Sequence, residues 1–112
     1  MKEVKEGAHV ADPNNQVLRK TLEIICGKWR LYIILQLGDQ PRRYGELRRM
    51  IPDVSEKVLI QELKALVGLG VLEKKSFSEI PPRVEYGLTP KGYHILPILL
   101  QLRQVGETFL DD

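Results

Sequence analysis

Lys57, Gln61 and Lys64 recur at intervals of four and three residues, which puts three hydrogen-bonding side chains on one face of a helix. These are the groups that read base edges in a duplex. A glutamine amide pairs with adenine through two bonds, and a lysine reaches guanine or a phosphate. Val58 beside them can meet a thymine methyl. Leu59, Leu63 and Leu66 fall on the opposite face and would pack on the helices around Leu47 and Ile34. Ser55 is placed as the N-cap, and residues near such a start make most base contacts. The competing reading is a polar face that is merely solvated. Position favours base reading, because this helix follows the tight turn Pro52-Asp53-Val54 and precedes a hairpin. Val58 and Ile60 are expected to be exposed, facing DNA or a neighbouring subunit.

Arginines surround this unit. Arg42 and Arg43 sit just before a short helix, where phosphate contacts would position the protein without reading sequence. Arg83 falls at the wing, where the second strand of the hairpin starts. It would enter the minor groove or hold a phosphate, or else pair with Glu79 or Glu85; both readings stay open. Ten Lys and Arg face six Asp and Glu between residues 28 and 75, although the whole chain carries a formal charge of only +2. The positive charge is concentrated where a DNA backbone would lie.

Other chemistries find little support. His9 and His94 are far apart and belong to no metal-ligand or nucleophile motif. The glycines form no phosphate-cradling loop. No metal and no cofactor are expected, and the chain is not read as an enzyme. Cys26, the single cysteine, ends an apolar helix face and is expected to be a buried, inert thiol.

The elements that would position these residues follow from punctuation and period. Residues 1–11 are polar and read as a flexible arm; residues 12–112 read as one domain. Asp12-Pro13 starts a first helix and Gly27 ends it. Lys28 to Leu37 is apolar nearly all round, which marks a buried helix. A helix-turn-helix is expected over about 44–69, a two-stranded wing over about 71–88, and a last helix over about 90–110 that Pro97 should bend. The fold class is α+β and mostly α: a winged helix-turn-helix with flanking terminal helices. Apolar residues at 43% and charged residues at 29% fit a folded chain rather than a disordered one. No apolar run approaches the roughly 18 residues of a membrane span, and the polar N-terminus is unlike a secretory signal, so a cytoplasmic protein is expected.

The motifs also carry a family resemblance. Ile25-Cys26-Gly27-Lys28-Trp29, Arg42-Arg43-Tyr44-Gly45-Glu46-Leu47, the stretch from Ile51 to Leu59, Gly68-Leu69-Gly70-Val71-Leu72, and the stretch from Pro81 to Gly92 stand in the order and spacing of the HxlR family of bacterial winged-helix regulators. The chain resembles that family over roughly residues 12 to 105, and through it the MarR-type regulators. The resemblance implies a homodimer joined by the first and last helices. It also implies that Ser55, Lys57, Val58 and Gln61 lie in the recognition helix, with Arg83 at the wing. Many family members carry Cys-Pro at the start of the first helix, and in some that cysteine senses oxidants or electrophiles. This chain has Asp12-Pro13 there, so that role does not carry over.

The last helix displays more leucine than a small domain can bury alone, which a two-fold pairing would resolve. Leu18, Leu22, Leu96, Leu99, Leu100, Val105 and Phe109 are the expected interface residues. A two-fold dimer calls for a palindromic operator with half-sites about one helical turn apart. The expected partners are therefore double-stranded DNA, a second copy and an unidentified small-molecule effector. The function expected is sequence-specific regulation, as a repressor. The alternative is a winged-helix module that binds protein instead of DNA.

Overall fold

The computed structural model describes residues 13–110, so the arm expected over residues 1–11 lies outside the described residues. Helix α1 spans Pro13–Ile25, and α2 spans Arg30–Leu37. Gly38, at φ 52°, ends α2, a conformation that a side chain would strain. Two extended residues form β1 (Arg42–Arg43) and lead directly into α3 (Tyr44–Met50). The Arg43 N–H donates to Glu46 Oε1 at 2.8 Å and so closes the start of α3. After a turn comes α4 (Glu56–Gly68), then the wing strands β2 (Leu72–Phe77) and β3 (Arg83–Leu88), then the long α5 (Pro90–Leu110). Helix α5 runs through Pro97 without interruption.

The three strands form one antiparallel sheet in the order β1-β3-β2. Arg42 and Lys74 both pair with Tyr86, from opposite sides of β3. Sequence patterning anticipated β2 and β3 but not β1, because two residues are too few to show a period.

One core unites these elements. Ile33, Ile34 and Leu37 from α2, Leu47 from α3, Leu59, Leu63 and Leu66 from α4, and Leu72 from β2 are all at most 2% exposed. Leu99 of α5 joins this core, and Leu96 packs against it. Both were expected at a subunit interface. Helix α5 is apolar around much of its surface, so composition did not reveal which leucines turn inward. Leu18, Leu22, Leu100, Val105 and Phe109 do remain exposed.

The corner between β3 and α5 is built without spare room. Thr89 Oγ1 lies 2.5 Å from the Gly70 carbonyl and 3.1 Å from that of Val71. It also accepts the Gly92 N–H at 3.2 Å, so one hydroxyl caps α5 and ties it to the end of α4. Gly92 is buried against the backbone. A Cβ there would stand 2.5 Å from the Val71 carbonyl oxygen, which is closer than real contacts allow. Gly92→Ala should therefore destabilise the fold by about 1–3 kcal/mol, as expected for overpacking, read as a lower urea midpoint at unchanged slope.

Tyr86, in the central strand, packs against the core. Burial raises its phenol pKa above the ordinary value of 10.0. The unfolded chain would thus lose that proton first. Stability from this group is complete below about pH 10 and declines as pH rises through the folded-state pKa. Urea titrations at pH 9 and 11 should show this decline, and Tyr86→Phe should reduce it.

Candidate nucleic-acid interface

The orientation of α4 follows from its apolar stripe. Leu59, Leu63 and Leu66 are sunk in the core, which leaves Lys57, Gln61 and Lys64 exposed on the outer face. Ser55 stands one residue before the helix, and its Oγ accepts the Val58 N–H at 3.1 Å. Its hydroxyl is thus engaged in starting the helix. Val58 is half-buried and packs against the core, contrary to the exposed position expected of it. Ile60, at 45% exposed, is the β-branched residue that does face outward.

The turn between α3 and α4 is braced from both sides. Arg48 donates from Nη1 to the Val54 carbonyl at 3.0 Å. Tyr44, at the start of α3, lies within electrostatic reach of Glu56 at the start of α4. Burial first, and then the Glu56 carboxylate, raise the Tyr44 phenol pKa, with Arg48 opposing. The hydroxyl therefore stays protonated at neutral pH.

The arginines divide into two kinds. Arg43 is exposed at the edge of the motif, whereas the neighbouring Arg42 is half-buried. Arg83 is held within the wing. It pairs with Glu79 at 3.0 Å and with Glu85 at 3.5 Å, and its guanidinium lies 4.1 Å from the centre of the Phe77 ring. Of the two readings left open for Arg83, the structure displays the ion pair, reinforced by a cation–π contact.

Three wing residues were not singled out by the sequence reading. Lys74 and Lys75 are exposed on β2, and Ile80 at the tip is fully exposed. The two lysines belonged to the counted basic cluster. Ile80 gave no signal, since one apolar residue among prolines reads only as a turn.

Cys26 is exposed rather than buried. It follows the last residue of α1 and lines a cavity of about 560 Å³ between α1, α2 and α5, with Leu22, Ile25, Leu31, Ile95 and Ile98 on the walls. The apolar face it was read from opens onto this cavity instead of closing against a core.

The family model described as HxlR-like helix-turn-helix matches residues 24–112. YkvN of Bacillus subtilis (strain 168), an HTH-type transcriptional regulator, is 41% identical over 86 residues, covering 77% of this chain and 73% of its own length. The HTH-type transcriptional regulator BH0655 of Halalkalibacterium halodurans is 44% identical over 87 residues, 77% of each chain. Among solved structures, a MarR-family transcriptional regulator from Porphyromonas gingivalis W83 superposes with a TM-score of 0.77 at 46% identity, covering 95% of this chain and 96% of that one. The reduced form of the redox regulator HypR gives a TM-score of 0.78 at 33% identity, over 84% and 93% of the two chains. Among the described residues, no helix is long and apolar enough to cross a membrane. This chain therefore belongs to the HxlR-like helix-turn-helix family, whose curated relatives are transcriptional regulators and whose solved neighbours share its winged-helix fold.

Proposed function

We propose that this regulator binds duplex DNA sequence-specifically as a homodimer and represses by occupying a palindromic operator. The observation that carries this reading is the outward face of α4. The buried leucines fix its rotation, so Lys57, Gln61 and Lys64 stand free at the front of a helix-turn-helix. In this reading Gln61 reads a base, and Lys57 and Lys64 reach guanine or phosphate. Ser55 and the half-buried Val58 set the start of the helix. Arg43 holds a phosphate, with Arg42 behind it, and Arg83 shapes the wing.

Of the three acids that would weaken the potential of this surface, Glu56 stays exposed at the start of α4 and the other two are otherwise engaged. Glu46 caps α3, and Glu62 pairs with Arg30 at 2.5 Å. This favours DNA over the alternative of an interaction module for protein.

The dimer rests on the apolar side chains left outside. Leu18 and Leu22 on α1, and Leu100, Val105 and Phe109 on α5, are between 40% and 79% exposed. The radius of gyration is 17.2 Å, against roughly 13 Å for a compact domain of about 100 residues. A terminal helix that projects from the body with its apolar face bare is what a second copy would cover. The cavity lined by Cys26 offers space for a small apolar effector, of which the sequence specifies none.

Selection of bound sequences from a random duplex pool, followed by titration at several salt concentrations, tests the DNA reading. A palindromic consensus with a steep salt slope is expected. Gln61→Ala should then relax preference at one position of each half-site, costing about 1–3 kcal/mol there, and Arg43→Ala should weaken all sequences alike and reduce the salt slope by about one. No enrichment would favour the protein-binding module. For the dimer, Leu100→Glu combined with Val105→Glu should give a folded monomer by sedimentation and circular dichroism. A dimer that survives both charges would overturn the assigned seam.

A further inference from the structure

One side chain bridges two elements that otherwise have little to do with each other. Arg30 opens α2. Its Nη1–H donates to the Ile24 carbonyl, and its Nε–H donates to Glu62 Oε1 at 2.5 Å. Ile24 lies in the last turn of α1, where helix carbonyls have no partner within the helix. Glu62 lies on α4, next in sequence to Gln61. The pair is largely shielded, with side-chain exposures of 24% and 23%.

We infer that Arg30 is a positioning residue that couples the C-terminal end of α1 to the recognition helix. The inference rests on the reading that α4 faces DNA. Its physical basis is directional. Apolar contacts let one helix slide over another, but two hydrogen bonds from one planar guanidinium fix both acceptors relative to each other. A displacement of α1 is therefore passed through a rigid fork to the residue beside Gln61. Apolar packing holds helix α1 only in part: Val17, Leu18, Leu22 and Ile24 are between 44% and 64% exposed. Lysine cannot replace the fork, because its ammonium is a point charge on a flexible stem.

Coupling is reciprocal, so it can be read from either end. Amide hydrogen exchange on the full chain supplies the readout, with the amides of Glu23 to Cys26 reporting on α1. In the free protein, Glu62→Ala, which removes the acceptor, is expected to speed exchange at these amides by about threefold or more, within the range of measured couplings between contacting residues. Unchanged rates there would overturn the inference, with no DNA involved. Acceleration spread equally over the core amides of Ile34 and Leu63 would also overturn it, since the pair would then contribute stability alone.

Adding the selected operator duplex should slow exchange at the same α1 amides in the native protein. Arg30→Lys and Glu62→Ala should remove that slowing while α4 remains protected. Slowing that persists in both variants overturns the coupling. Absence of protection at α4 itself would instead refute the DNA reading, and the DNA-free comparison would still decide the role of Arg30.

Discussion

Burial of Leu59, Leu63 and Leu66 determines nearly everything else about this surface. Each such side chain contributes about 1.5–3 kcal/mol when fully buried, so no rotated arrangement of α4 competes. Successive helix positions differ by about 100°, and a turn of one residue would carry a polar side chain into the core. The rotation that satisfies the leucines is also the one that presents Gln61 and its lysines. The outer face is in this sense a by-product of packing: the front of the helix is defined by its back.

Charge is arranged with the same economy. The chain is nearly neutral overall, yet several of its acids are spent internally. Glu46 satisfies a helix start, Glu62 meets Arg30, and Glu79 and Glu85 meet Arg83. Arg43, Lys57, Lys64 and Lys74 are left exposed. Local pairing, more than net charge, sets the sign of the surface. The wing illustrates the cost: its arginine is shielded by two carboxylates and an aromatic ring, so its rigidity is gained at the expense of a free cation.

Much of this was legible in the sequence, because long periodic segments and strong punctuation carried it. The stripe of α4, the Ser55 cap, the Thr89-Pro90 start of α5 and the two wing strands all have local signatures. What escaped lacks them. A two-residue strand such as β1 has no period, and its existence depends on β3, more than forty residues away. Leu99 and Leu100 are chemically identical neighbours on an apolar helix, and only the position of α2 sends one inward. Cys26 and Val58 were misassigned for one reason in opposite directions: burial at the margin of a helix depends on what the next element does. The Arg30–Glu62 pair spans 32 positions and matches no motif, so only three-dimensional proximity discloses it.

The junction after α4 has a mechanical meaning. Carbonyls that follow the last turn of this helix are taken up by the first turn of α5: Lys91 Nζ donates to Leu69 at 3.1 Å, and Thr89 donates to Gly70. The Val71 carbonyl meanwhile accepts the Thr89 N–H at 3.1 Å and leaves no room for a side chain at residue 92. Helix α4 and the root of α5 therefore form a single girder. Any adjustment of this protein to a different spacing of its contacts has to come from girders tilting against one another, like the two arms of a caliper, and not from a helix swivelling inside its own domain.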